Sequence, residues 1–232
     1  MILDIYKDSF EFASKKISAL LILGVLSFLN ILIIPAIFFY GYNYRVVKLS
    51  TQSMINGEDV PPEFNDFKRM FIDGLKYLIV YIAYVIIPII VVLLSVHFHN
   101  GILLLIGFIL MLIAMMLAYM AIPNMAENDG SLKSAFAFSD LFNIISSIGF
   151  VRYIAAFIGI ALISFIVIIV VAFLVGLLFA VLGIAVSSIP SGVGAVNLVG
   201  TIFVNCVIFF IVSPYLSMFN KRCQGLIYNL RG

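Results

Sequence analysis

The sequence predicts an all-α polytopic membrane helix bundle. It should have four full spans plus an N-terminal re-entrant hairpin, or five spans, with amphipathic helices at the interface. Three observations carry this. Only 10% of the 232 residues are charged while 64% are hydrophobic, and the mean hydropathy is +1.24. A soluble domain carries roughly a quarter charged residues. The charges are also segregated: none falls in Ile17–Tyr44, Tyr77–Ala126 or Tyr153–Asn220, runs of 28, 50 and 68 residues. A helix crosses the hydrocarbon core with about 20 residues, so the second and third runs each hold two spans and a turn. The first holds one span, or a shorter hairpin that dips in and returns. Finally, the polar stretches between the runs show helical spacing of apolar residues.

In residues 1–16, Ile2, Tyr6, Phe10, Ala13 and Ile17 recur at three- and four-residue spacing, with Lys7, Glu11 and Lys15 on another face. That pattern predicts a helix lying in the headgroup region. Asp4 and Asp8 stand where a cleavable signal would be basic. The first apolar segment, Ile17–Tyr40, carries Asn30 near its middle and Pro35 beyond it. Residues 46–57 are expected to continue as a surface helix, which Pro61 and Pro62 end. Phe64, Phe67, Met70 and Phe71 then open a second amphipathic helix. The next span is about Leu75–Val96, kinked at Pro88. His97 to Gly101 forms a turn. The following span, Ile102–Ile122, is expected to stop at Pro123. Leu132, Phe136, Phe138, Leu141, Phe142 and Ile145 mark a third amphipathic stretch. A span over Tyr153–Leu182, an uncharged turn over Ser187–Asn197, a span over Leu198–Phe219 and a short basic tail complete a single membrane domain, 1–232.

A weak internal repeat overlies this plan. Asp8, Asp66 and Asp140 each sit beside phenylalanines ahead of an apolar run, and Pro35, Pro123 and Pro214 close the units at spacings of 88 and 91 residues. The three units would be parallel repeats.

The turns around His97 and Pro190 hold no Lys or Arg, whereas 41–76, 123–152 and 221–232 hold 5, 2 and 3. The positive-inside rule places those three segments in the cytoplasm and the chain in the cell membrane as a multi-pass protein. A single span at Ile17–Tyr40 would leave Lys7, Lys15 and Lys16 outside. A hairpin turning around Ser27–Asn30 puts all 13 basic residues on one side, and the charge balance favours it. Turn backbone at membrane depth must then be buried in protein.

Enzyme and cofactor motifs do not emerge. There is no His-Glu-x-x-His, no Gly-x-Ser-x-Gly and no phosphate-cradling loop with Lys. His97 and His99, two apart, point away from each other on a helix and read as a polar turn. Cys206 and Cys223 read as free thiols. The net charge of +2 leaves no nucleic-acid footprint. No ionisable residue lies within the long apolar runs, which argues against proton-coupled transport. Asn30, Ser164, Thr201 and Asn205 are the candidate intramembrane polar residues; interhelical hydrogen bonding is their ordinary role. Ala172, Gly176 and Ala180 are spaced by four, as on a face that admits another helix, from within the chain or from a second subunit. Met111, Met115, Met116 and Met120 read as adaptable packing. Arg45, Lys48, Lys68, Arg69 and Lys76 balance Glu58, Asp59, Glu63, Asp66 and Asp73, which predicts ion pairing among them.

One stretch has a specific pattern. Gly41-Tyr42 with Arg45, then Gly57, then Pro62, Phe64, Asp66 and Phe67, then Gly74 resembles the family catalogued as domain of unknown function 4013, uncharacterised prokaryotic membrane proteins frequent in methanogenic archaea. Pro123, Gly130 and Phe136 also look like its pattern, so the resemblance extends over nearly the whole chain. Trp, frequent in the family's aromatic cluster, is absent here. The resemblance implies topology and an archaeal lineage but no activity, cofactor or metal. The expectation is a non-enzymatic protein that organises the membrane or serves as a subunit of a membrane complex. The alternative is a passive channel or carrier for a small or amphiphilic solute. The partners expected are the lipid bilayer and another membrane protein or copy.

Overall fold

In the computed structural model, residues 1–185 and 192–231 are described. Among them every regular element is helical: α1 (Ile2–Ser14), α2 (Ile17–Phe28), α3 (Ile33–Thr51), α4 (Phe67–His97), α5 (Gly101–Glu127), α6 (Leu132–Ala135), α7 (Phe138–Ile148), α8 (Phe150–Ala185), α9 (Gly192–Val207) and α10 (Ser213–Tyr228). A 3₁₀ turn, Leu29–Ile31, separates α2 from α3, and a π-turn, Ile208–Val212, joins α9 to α10. Four continuous helical stretches are long and apolar enough to cross a membrane: α4, α5, α8 and the run Gly192–Arg231.

The elements form three helical hairpins, α2–α3, α4–α5 and α8–α9/α10, which correspond to the repeat seen in the sequence. Pro35, Pro123 and Pro214 lie in the three returning helices, and the lower parts of α3, α5 and α10 pack on one another. The three aspartates do not share a role. Asp8 is buried, Asp66 caps α4 by accepting from the Arg69 N–H at 3.2 Å, and Asp140 is exposed.

The first segment folds as two arms, α2 and α3, joined at a turn, the shape that the hairpin reading expects, while α1 and α2 taken as one bent pair have the length and composition of a fifth span. At about 1.5 Å per residue, the 12 residues of α2 rise roughly 18 Å, short of the ~30 Å hydrocarbon core. Its start lies against the loop that follows α3. Lys16 pairs with Glu63 at 3.5 Å, and Lys15 Nζ donates to the Asp59 carbonyl at 2.9 Å. Asn30 sits in the turn between the two arms. The α1 helix, bent 87° from the α2 arm, does not simply lie on lipid as its apolar stripe predicts. It buries Ile5, Tyr6, Asp8, Ser9, Phe12 and Ala13 and packs on α10, with Phe10 stacked on Phe219 at 4.2 Å.

Several helices outrun their expected bounds for identifiable reasons. Phe67 and Met70 belong to the same 31-residue helix as the span they precede, because Asp66 supplies the cap before them. Pro123 does not stop α5. Proline cannot donate to the carbonyl four residues back, and here the Tyr119 carbonyl so released accepts instead from Gln224 Nε2 at 2.6 Å. Pro214 likewise releases the Phe210 carbonyl, which lies against Gly24 so closely that no Cβ could fit there. The C-terminal segment is not a short tail but the continuing α10. In the expected turn Ser187–Asn197, residues 187–191 lie outside the described residues, and helix already begins at Gly192.

Candidate functional site

At one end of the bundle α10 is the hub of a polar layer. Apolar residues on α10 alternate with Lys221, Arg222, Gln224 and Tyr228, and Asn229 follows directly, so the helix enters the layer with polar groups on several faces. Its deepest charge is Arg222, 1% exposed, opposite Asp8, 4% exposed. The Nε atom donates to Asp8 Oδ1 at 2.7 Å, and Nη2 donates to Asp59 Oδ2 at 3.0 Å. The guanidinium also stands 4.8 Å from the Phe12 ring centre. Asp8 Oδ2 accepts from the Asn56 backbone N–H at 2.6 Å. A buried pair of this kind depends on its other hydrogen bonds, and here they are incomplete: Arg222 Nη1 is buried with no partner among the described residues. The pair ties α1, the 54–59 loop and α10 into one unit.

Two further clusters flank it. Tyr228 donates to Glu127 Oε2 at 2.7 Å and lies 2.9 Å from Asn124 Oδ1, while Arg231 pairs with Glu127. Asn229 Nδ2 donates to the carbonyls of Ser50 and Ser53. On the opposite side, Lys221 Nζ donates to the Tyr77 hydroxyl at 2.8 Å and to Gln224 Oε1 at 3.1 Å. Sequence reasoning missed this layer. Asp8 and Arg222 are 214 positions apart, and a basic cluster after an apolar run reads as a cytoplasmic tail. The one local signal was Asp8 beside the apolar stripe of α1.

The nine motif residues lie in one neighbourhood with structural contacts. Gly41 and Gly74 let α3 and α4 touch: a Cβ on Gly41 would strike the Met70 carbonyl, and one on Gly74 the Ile37 carbonyl. Tyr42 donates to the Pro62 carbonyl at 2.9 Å and stacks on Phe64 at 4.1 Å. Arg45 donates to the carbonyls of Asn65 at 2.6 Å and Asp66 at 2.8 Å. Phe67 meets Phe38 edge-on, and Gly57 closes a turn by donating to the Met54 carbonyl. The motif therefore clamps the 52–66 loop onto α3. Burial pushes the Tyr42 and Tyr44 hydroxyls well above the usual tyrosine range, so both stay protonated; Tyr42 donates to Pro62, while the buried Tyr44 hydroxyl has no hydrogen-bond partner among the described residues. The expected ion pairing within this region is not what forms. Among the described residues none of its five bases pairs with any of its five acids. Arg45 goes to backbone carbonyls, Lys76 to the Gly130 carbonyl, Glu63 to Lys16 and Asp59 to Arg222.

The four intramembrane candidates do not converge. Asn30 is at the hairpin turn, its Oδ1 buried without a partner. Ser164 accepts from Asn220 Nδ2 at 3.3 Å. Thr201 and Asn205 share a face of α9 with Asn197: the Thr201 hydroxyl donates to the Asn197 carbonyl and Asn205 Nδ2 to the Thr201 carbonyl, each at 2.8 Å. Gly176 and Ala180 face this stripe across a groove of about 340 Å³ between α8 and α9; Gly200 packs against Phe179 beside it. His97 and His99 stay at the α4–α5 turn, and among the described residues no cluster of three potential metal ligands occurs. Cys206 and Cys223 are free thiols.

No curated protein and no solved structure matches the chain. The family model described as "Protein of unknown function (DUF4013)" matches residues 28–177, a narrower reach than the resemblance suggested, with α1, most of α2 and α9–α10 outside it. The match covers more than half the chain and includes the α3–α4 clamp, and the protein belongs to the DUF4013 family.

Proposed function

We propose that this protein is a non-enzymatic membrane scaffold whose α8–α9 hairpin pairs with that of a second copy. The observation that carries the reading is how much of this hairpin stays uncovered, although α8 and α9 pack on each other. From Ala161 to Leu182 no side chain of α8 is buried, whereas α4 and α5 bury residues along their lengths. Asn197, Thr201 and Asn205 are all exposed, on a helical run apolar enough to cross a membrane. Polar groups facing hydrocarbon are unfavourable, and interhelical amide and hydroxyl bonds relieve that cost. An amide both donates and accepts, so the stripe is complementary to itself across a two-fold axis. Gly176 and Ala180 leave room for close approach. In this arrangement the polar layer, with 41–76, 123–152 and the C-terminus, faces the cytoplasm of the cell.

The test is oligomeric state in lipid nanodiscs together with disulfide cross-linking of a Thr201→Cys variant. A dimer that cross-links through the introduced thiol, and that Asn197→Leu with Asn205→Leu dissociates, supports the reading. A monomer with no cross-link refutes it. A passive channel or carrier is less well supported, because Asn30, Ser164 and the Thr201–Asn205 pair occupy three separate places and line no common path. Solute flux through liposomes that is lost in Asn205→Leu would reverse that order.

A further inference from the structure

Beyond that scaffold role, the surroundings of Lys221 point to a ligand. Lys221 lies where α10 passes beneath the gap between the α4–α5 hairpin and α8. Its ammonium has three N–H groups. Two go to the Tyr77 hydroxyl and Gln224 Oε1, and the Tyr77 ring lies 5.2 Å from the nitrogen. Among the described residues no carboxylate forms an ion pair with it. Arg222, its neighbour in sequence, has two carboxylates, so the layer supplies counter-charge where the fold requires it and leaves Lys221 without. Removing an ammonium from water is strongly unfavourable without an anionic partner.

Beside the ammonium is a cavity of about 180 Å³ whose lining includes Tyr77, Tyr81, Met115, Ala118, Phe157 and Lys221. At about 30 Å³ per water-sized group it holds roughly six such groups, enough for a phosphate and its first ester carbons and too few for a nucleotide. Its polar groups are mainly donors: the third ammonium N–H, the Tyr77 hydroxyl proton and the Tyr81 hydroxyl. Gln224 is already committed, its oxygen to Lys221 and its nitrogen to the Tyr119 carbonyl. The rim is apolar and lateral. Tyr81 and Met115 are 39% and 38% exposed, and the neighbouring Ile82 and Leu112 are exposed on the same two spans. A ligand entering there comes from the bilayer, with its charged end toward Lys221 and its tails along α4, α5 and α8.

We propose that this cavity binds the phosphate group of an anionic phospholipid, held by Lys221 with the Tyr77 and Tyr81 hydroxyls. The lateral opening favours a lipid over a free phosphate, which offers the same chemistry. The experiment uses the full chain in neutral detergent and native mass spectrometry. Dioleoylphosphatidylglycerol, dioleoylphosphatidylcholine and inorganic phosphate are titrated separately. The expected result is one tightly bound phosphatidylglycerol per chain and weaker phosphatidylcholine. Lys221→Gln should weaken phosphatidylglycerol about tenfold or more, the scale of one lost charge-assisted contact. Lys221→Arg should retain it, and Met115→Trp, which narrows the mouth without touching the ammonium, should weaken it. Unchanged binding in a folded Lys221→Gln protein overturns the proposal, as does equal affinity for the two lipids. Lys221-dependent binding of inorganic phosphate with none of the lipid overturns the lipid assignment and leaves a soluble anion as the ligand.

Discussion

Replacing Asp8 by asparagine keeps the shape of the side chain and removes the charge opposite Arg222. In the native protein Asp8 accepts from Arg222 Nε at 2.7 Å and from the Asn56 N–H at 2.6 Å. An asparagine has one acceptor oxygen and turns an amide donor toward one of these two donors. Arg222, 1% exposed, cannot recover solvation in place. Breaking a buried ion pair from one side costs about 3–5 kcal/mol. Asp59, 28% exposed and 3.0 Å from Nη2, retains part of the attraction, which places the expected loss near ~3 kcal/mol. That is about a hundredfold in the folding equilibrium. The assay is equilibrium unfolding in mixed micelles titrated with sodium dodecyl sulfate, followed by helical circular dichroism. Asp8→Leu combined with Arg222→Met removes both charges, and apolar replacement of a whole buried pair is often neutral or better. The double variant should therefore regain part of the stability lost in Asp8→Asn, less the cost of leaving the Asn56 N–H without its acceptor. The reasoning is refuted if Asp8→Asn lies within about 0.5 kcal/mol of wild type, the range of an ordinary surface change, or if the double variant is less stable than Asp8→Asn alone.

Three further outcomes follow from the geometry. Gly74→Ala should destabilise by about 1–3 kcal/mol, since its Cβ would overlap the Ile37 carbonyl and overpacking outweighs the gain in helix propensity; Gly101→Ala, which meets open space, should stay close to wild type in the same unfolding titration. Tyr42→Phe should cost about 1 kcal/mol by losing the bond to Pro62 while keeping the stack on Phe64, and Arg45→Gln should expose the 52–66 loop more strongly, both read by limited proteolysis. In a Cys206→Ser background, cysteines introduced in place of Lys7 and Met54, exposed at 75% and 81%, should react with an impermeant maleimide from the same side of a sealed liposome, and one in place of Phe98 from the other; labelling at positions 7 and 54 from opposite sides would rule out the hairpin.

Much of the fold was legible because a bilayer imposes a strong rule on composition. Residues facing lipid must be apolar and backbone groups must bond within the helix. The long uncharged runs therefore give α4, α5, α8 and α9 directly. The proline spacing gave the three units. Helix ends were harder to read. Pro123 is a stop by local rules, and only a glutamine from α10 lets α5 continue. Helical spacing showed that α1 is amphipathic, but it could not say that protein rather than lipid covers much of its buried face. The five-to-five charge balance of 41–76 predicted pairing that backbone carbonyls and distant partners took instead.

Composition and local spacing alone mark this chain as a multi-helix membrane protein with the DUF4013 pattern from Gly41 to Gly74, its basic residues gathered in a few segments. Each of these depends on local spacing or on bulk polarity, which a chain carries before it folds. Only the packing of the helices shows that Arg222 meets Asp8, that no carboxylate among the described residues pairs with Lys221, and that α8 buries no side chain from Ala161 to Leu182. Those outcomes depend on which helices come to lie side by side, and a buried charge is stabilised or left exposed by neighbours many tens of residues away.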